Sequence, residues 1–107
     1  MKKNGFNFDY SRYSDILHIH KNGKKTEGSV EIGDFTLDFG KNDEVVGVEI
    51  ENASEFFNNL DISKKSLNEI KEAKMIITGR NNCKLIFLGL KFPNIERKIA
   101  LPMPIVS

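Results

Sequence analysis

The sequence has little of what marks secreted, disulfide-rich or membrane-spanning proteins. It contains one cysteine, Cys83, so no disulfide can form within the chain, as is ordinary in a reducing cytosol. Its apolar runs are short, such as residues 85–88, whereas a membrane-spanning helix needs about 18 apolar residues. The basic first residues are not followed by the apolar core of a signal peptide. We therefore predict a soluble, cytoplasmic protein.

The short motifs of the common enzyme classes are absent as well. The chain has no Gly-x-Ser-x-Gly nucleophile elbow, no Walker phosphate loop and no dinucleotide fingerprint. Cys83 has no histidine near it in sequence, and a reactive thiolate needs a base or a positive environment. We therefore predict no catalytic residue and no cofactor, and the sequence favours a protein that is not an enzyme.

A large excess of charge of one sign is also lacking, because 16 Lys and Arg residues balance 15 Asp and Glu residues to a net charge of +1. This net charge hides a difference between the two halves of the chain. Residues 1–63 hold 7 basic and 12 acidic residues, whereas residues 64–107 hold 9 and 3. The basic half could complement the acidic half, within one domain or across a subunit interface. Contact with nucleic-acid phosphates is the less favoured alternative, because no basic cluster is longer than two residues.

What is present is a chain long enough for one domain, residues 1–107, and too short for two. Apolar and polar residues alternate in five short segments of the first half, which predicts strands near 6–10, 15–21, 29–32, 35–39 and 45–51. Asn22-Gly23 is the strongest hairpin signal. Because the links are too short for parallel crossovers, the strands should form an antiparallel meander.

The period of the pattern changes at Asn52, where a helical segment near 53–73 is predicted. Asn52 and Glu55 have the spacing of a helix-capping pair, and a second helix should begin near Ser63 or Ser66. Further strands are predicted at 75–78, 84–90 and about 95–101, with a turn at residues 80–82. The second of these strands has apolar residues on both faces and should be central and covered. Two later prolines should end the last strand or confine it to an edge. The predicted fold class is α+β: an antiparallel β-meander, a central helical segment and further antiparallel strands.

Residues 10–54 carry a recognisable pattern. It consists of Tyr10 followed by the segments 15–19, 28–32 and 35–39 and by Val-Val-Gly-Val-Glu-Ile-Glu-Asn-Ala-Ser at 45–54. This pattern resembles the small-protein family catalogued as domain of unknown function 2283. His18 stands where that family usually has tyrosine, and residues 55–107 extend beyond its common short form. The resemblance implies a fold and no catalytic residue. Because some members are encoded near small toxin-like proteins, it also implies a partner-binding or antitoxin-like role.

His18 and His20 are the candidates for a metal site or for the centre of a small enzyme. Residues i and i+2 of a strand share a face, so both imidazoles could reach one ion. The cupin pattern adds a glutamate four or five residues later, but here Lys24 and Lys25 occupy those positions. The pair could equally lie on a solvent-exposed face or an interface. We therefore predict no metal site and name this pair as the one to test.

Five carboxylates form a second set of candidates: Asp15, Asp34, Asp38, Glu49 and Glu51. Paired acids can share a proton or hold a hard cation. Polar positions of a half-solvated antiparallel sheet carry such charges without any chemistry, and this interpretation is favoured here. Glu49 and Glu51 share one face of their strand, and Asp38 would neighbour them if the two strands pair as a hairpin. A lysine, an arginine or a bound cation is then expected beside these like charges.

The last residues, 101–106, are apolar or proline and follow the last clear strand. A chain this small seldom leaves such a segment in water. It should pack on its own domain or on a second subunit, and we predict a homodimer that uses sheet edges or this tail. The function that the sequence favours is a non-enzymatic module for binding a protein partner or for assembly.

Overall fold

The computed structural model describes residues 5–80 and 83–106 and shows two antiparallel sheets with two short helices between them. The N-terminal sheet contains β1 (Phe6–Ser11), β2 (Ile16–Lys21), β3 (Gly28–Ile32), β4 (Phe35–Phe39) and β5 (Val45–Ile50). Helices α1 (Ala53–Asn58) and α2 (Lys64–Leu67) follow. The C-terminal sheet contains β6 (Glu72–Arg80), β7 (Cys83–Lys91) and β8 (Glu96–Val106). The predicted α+β class with a central helical segment is confirmed.

The order of strands in the N-terminal sheet is β1-β2-β5-β4-β3, which departs from a simple meander. Asn22-Gly23 does form a turn, with Gly23 at a φ of +75°. It does not join neighbouring strands, however, because β2 pairs with β5. The cause is burial: β5 carries the most apolar pattern and takes the central place, so that β3 is left at an edge.

The helices are shorter than predicted. Asn52 adopts a left-handed conformation with a φ of +51° and makes no side-chain cap, whereas the Ser63 hydroxyl accepts a hydrogen bond from the Ser66 amide as a true N-cap. The chain leaves α2 after Leu67, and Ala73 is already part of strand β6. The three-residue spacing of Ala73 from Ile70 fits a helix. Ala73 is extended instead, because it pairs with Leu90 of β7.

Strand β7 lies between β6 and β8, so its predicted central place is confirmed. It is not covered on both faces, because Leu85 on the outer face is exposed. Three β8 residues, Leu101, Pro102 and Met103, stand where β7 supplies only Ile86, so Pro102 sits in a bulge of an edge strand. Leu101 and Met103 are buried in the chain's own core, which places this part of the tail intramolecularly. Residues 81 and 82 of the predicted turn and the side chains of 104–106 lie outside the described part.

One cluster of buried side chains connects both sheets and both helices. The N-terminal sheet contributes alternate residues of its three inner strands, and the C-terminal sheet covers them from the side of β1 and β2, which contact β6. The buried members with the largest side chains are Phe57, Leu17, Ile19, Leu37, Ile50, Leu67, Ile86, Leu88 and Leu90. The opposite face of the N-terminal sheet, called the open face below, carries polar side chains.

Candidate functional site

Asp15 lies in the turn between β1 and β2 and holds the start of helix α1. Its Oδ1 accepts hydrogen bonds from the Tyr10 hydroxyl at 2.6 Å and the Ser54 amide at 3.0 Å, and its Oδ2 accepts one from the Ser54 hydroxyl at 2.6 Å. The Asp15 backbone carbonyl accepts a hydrogen bond from the Ala53 amide at 3.0 Å. This carboxylate therefore caps α1 across a long stretch of chain, the task that sequence reasoning gave to Asn52.

The electrostatics of this corner follow from the same contacts. Partial burial opposes ionisation of Asp15, but hydrogen bonds from Ser54 and Tyr10 and the charge of Lys64 outweigh it, so the pKa lies below its ordinary value. Burial and the bond to Asp15 raise the pKa of Tyr10, which keeps its hydroxyl a donor. Asp15 is thus committed to structure and does not join the other carboxylates.

The open face presents two rows of side chains across the N-terminal sheet. One row runs Asp9, His18, Glu49, Thr36, Glu31 and the next runs Asn7, His20, Gly47, Asp38, Ser29. None of the strand residues in these rows is a lysine or an arginine. The cationic neighbour expected for Asp38 and Glu49 is therefore absent from these described rows, and a histidine, His18, stands in its place.

Gly47 lets the side chains of the second row approach each other. A Cβ at this position would lie 2.8 Å from Asp38 Oδ2, 2.8 Å from His20 Cδ2 and 3.2 Å from the Ile19 carbonyl oxygen. Val46, an extra residue in a bulge between β4 and β5, precedes Gly47. The glycine of the Val-Gly-Val-Glu motif is therefore a packing requirement of the open face.

The two histidines are neighbours but have different surroundings. His20 bonds the Lys21 carbonyl through Nδ1 at 2.9 Å and the Thr26 hydroxyl through Nε2 at 3.1 Å, so both ring nitrogens are occupied. His18 Nε2 is shielded, lacks a hydrogen bond and lies 3.5 Å from Asp38 Oδ2. Within residues 5–80 and 83–106, no group of three or more His, Cys, Asp or Glu side chains is arranged to hold a metal ion.

The remaining carboxylates of the predicted set lie apart from this pair. Asp34 is exposed in the β3–β4 turn, where its side chain accepts a hydrogen bond from the Asn52 amide group at 3.3 Å. Glu51 lies beyond the end of β5, and its backbone amide bonds the Asp34 carbonyl. Of the five predicted acids, Asp38 and Glu49 are the two that share the open face with His18. The five acids are thus divided among three places.

Strand β3 forms an exposed edge that the sequence did not single out. Val30 and Ile32 point to the core side, yet they are 49% and 43% exposed, whereas their partners Leu37 and Phe35 on β4 are buried. The alternation of these residues predicts a strand, but nothing in it says which strand ends a sheet. We call Gly28–Ile32 with its free side the β3 edge.

An open groove of about 820 Å³ adjoins the β3 edge. Its apolar lining comes from Val30, Phe39, Val45 and Ile77, so it joins β3 to the C-terminal sheet. Asp43, Glu44 and Lys84 add charged groups to the lining. A half-buried apolar line beside an unpaired strand is a surface on which another chain can add a strand. We call this cavity the β3 groove.

Three basic side chains of the second half make specific contacts within the chain. The Lys98 ammonium lies 4.7 Å from the centre of the Phe87 ring, Lys91 pairs with Glu72 at 3.6 Å, and Arg97 donates to the Leu60 carbonyl at 3.0 Å. The four ion pairs found within the described ranges each join side chains of the same half. Direct pairing of charges between the halves is therefore not what joins them there.

Comparison with known proteins agrees with the resemblance of the first half. Residues 7–54 match the family model described as "Protein of unknown function (DUF2283)". An uncharacterized protein of Methanocaldococcus jannaschii is 34% identical over 92 residues, which cover 84% of this chain and 74% of that protein. The chain belongs to the DUF2283 family. Because that match covers far more than residues 7–54, the similarity continues into the C-terminal extension.

A second relative has a name that states an activity, but the match covers a smaller part of both proteins. A Methanosarcina mazei protein named "Putative hypoxanthine phosphoribosyltransferase" is 30% identical over 76 residues, and the chain spans 59% of its length. No solved structure matches the chain. Neither helix in the described part is long and apolar enough to cross a membrane. The DUF2283 model itself describes no activity.

Proposed function

We propose that this DUF2283 protein is a non-enzymatic module that binds a protein partner through the β3 edge and the β3 groove. The observation that carries the proposal is the exposure of Val30 and Ile32. Both side chains lie on the core side of the sheet, opposite the buried Leu37 and Phe35 of β4. A strand added to the edge would therefore complete their burial. Main-chain bonds to the free edge would supply affinity, and the groove would select side chains.

The proposal places the protein in the cytoplasm, in keeping with its single exposed cysteine, Cys83. An antitoxin-like role, which the family resemblance implies, is one form that such binding could take. The name of the Methanosarcina relative stays with that protein, because the chain spans only 59% of it. The partner class is a protein in either form.

The test replaces one isoleucine at the edge and one elsewhere. Ile32→Lys puts a charge on the β3 edge, whereas Ile95→Lys changes an isoleucine that is 58% exposed in the β7–β8 turn. Wild type and both variants are immobilised, and proteins captured from the native host are quantified by mass spectrometry. We expect wild type and Ile95→Lys to capture the same partner and Ile32→Lys to lose it. Equal capture by all three contradicts the proposal.

A second candidate function, divalent-metal binding at His18, rests on its Nε2, which lacks a hydrogen bond and lies 3.5 Å from Asp38 Oδ2. That separation is close to the spacing of two ligands on one zinc ion at about 2.0–2.2 Å from each. A metal held only by the folded chain raises the melting temperature. Zinc should therefore stabilise wild type and leave His18→Ala unchanged. A melting curve of wild type that is identical with zinc and with chelator removes this candidate.

A further inference from the structure

We propose that the partner on the β3 edge is β3 of a second copy of this chain, paired antiparallel with Val30 on the two-fold axis. This proposal rests on the proposed function, since it names the occupant of the same edge. The two N-terminal sheets would then form one continuous sheet of ten strands. The two-fold arrangement uses the same patch on both copies and closes the assembly at two.

Strand β3 is the free edge of its sheet. The other edge strand, β1, lies against β6, and its apolar side chains Phe6, Phe8 and Tyr10 pack on the core. Strand β3 makes extensive contact with β4 alone. The C-terminal sheet lies toward β1 and β2, and Val30 and Ile32 remain exposed. An edge of this kind is a template for another strand.

Among the antiparallel registers centred on residues 29, 30 and 31, which pair the most β3 residues, only the one centred on Val30 suits two copies of β3. The apolar side chains of both copies face the same side only when the two-fold axis passes between a residue and the same residue of the second copy. Below, the axis is named by that residue. An axis through Glu31 sets this glutamate against its own copy, and an axis through Ser29 sets Glu31 against Glu27. An axis through Val30 sets Val30 against Val30 and Ser29 against Glu31, with no like charges opposed.

This register also provides space for a large apolar side chain. It places Ile32 of the second copy opposite Gly28, where no heavy atom lies within 4 Å of the position that a Cβ would occupy. Gly28 also lines the β3 groove. The isoleucine of each copy therefore finds a gap left by the glycine of the other, beside Val30 and Ile77. The symmetry thus fills both gaps, one in each copy, and buries four exposed side chains, Val30 and Ile32 of each copy.

Cysteine cross-linking tests the register directly. In a Cys83→Ser background, Val30→Cys brings two Cβ atoms to about 4.5–5.5 Å across the axis. We expect a disulfide-linked or bis-maleimide-linked dimer to form on the order of tenfold faster than for Ile95→Cys, because pairing raises the effective concentration. Ser29→Cys and Glu31→Cys should link to each other in a mixture faster than either links to itself. Circular dichroism confirms that each variant is folded.

Two results would overturn the inference. Val30→Cys that links no faster than Ile95→Cys excludes the axis at Val30. Ser29→Cys or Glu31→Cys that links to itself faster than in the mixture demonstrates another register. Either failure is separate from that of the proposed function, since the capture experiment with Ile32→Lys still decides whether the β3 edge binds a different protein.

Discussion

Three residues of the family pattern have a structural explanation at the scale of single atoms. Tyr10, Asp15 and Ser54 are far apart in the motif, but one carboxylate binds the hydroxyl groups of the other two and the amide of Ser54. The sequence identified these residues as part of a pattern but not as contacts, because spacing along a chain does not reveal a cap supplied from another turn. Their place in the pattern is therefore explained by the entry of helix α1, without any catalysis.

Asp15→Ala should destabilise the protein by about 2–4 kcal/mol, because it removes a helix cap and leaves Tyr10 and Ser54 without their acceptor. Urea unfolding at neutral pH measures the change. Asp34→Ala is the matched control, since this exposed aspartate has one hydrogen bond of 3.3 Å and should cost less than about 0.5 kcal/mol. Equal effects of the two substitutions would refute the capping role.

The stabilisation that Asp15 provides should depend on pH. Because folding lowers the pKa of Asp15, its stabilising contribution is complete above the pKa of the unfolded chain and is lost as the pH falls through the folded pKa. The difference in stability between wild type and Asp15→Ala should therefore shrink as the pH falls below about 4. Unfolding curves measured from pH 7 down to pH 3 follow it. A difference that grows in acid would have the wrong sign.

The close contacts around Gly47 lead to a further prediction at the residue scale. Gly47→Ala should cost about 1–3 kcal/mol, because the new methyl group meets Asp38, His20 and a backbone carbonyl. Gly89→Ala is the control, since the neighbours there are atoms of the flexible Lys74 side chain, which can move away. Thermal unfolding compares the two variants. A smaller loss for Gly47→Ala than for Gly89→Ala would show that the open face adapts freely.

At the scale of elements, alternation predicted the strands well and their neighbours poorly. Strands β4 and β5 were anticipated almost residue by residue, because a half-buried strand imposes a period of two on its sequence. The pairing of β2 with β5 was not anticipated, because the turn at Asn22-Gly23 gives only local information. For the same reason the β3 edge, which depends on the final strand order, could not be found from sequence.

The last strand shows how a segment predicted to lie beyond the strands can be part of the core. Met103 lies in β8 next to Pro102 and is buried in the core of its own chain. The sequence left open whether this segment packs on its own domain or on a second subunit. Met103→Ala should cost about 2–5 kcal/mol in unfolding free energy. Ile95→Ala, at an exposed position, should change it by less than about 0.5 kcal/mol. A near-neutral Met103→Ala would mean that β8 contributes little to the core.

At the scale of the whole molecule, the acidic first half and the basic second half are two sheets around one apolar cluster. The ion pairs of the described residues stay within each half, so burial of apolar surface joins the sheets. The length of the chain predicts one domain, and the alternation of apolar and polar residues predicts the polar face of the sheet. The binding edge follows instead from which apolar side chains the finished fold leaves uncovered.

The most direct measurement of the central claim is the molar mass of the protein in solution as a function of concentration. Light scattering of wild type and Ile95→Lys should approach twice the chain mass of 12.2 kDa, whereas Ile32→Lys should remain at the mass of one chain. Circular dichroism establishes that the variants are folded. A wild-type protein that stays at 12.2 kDa throughout, or an Ile32→Lys variant as dimeric as wild type, would contradict pairing through the β3 edge.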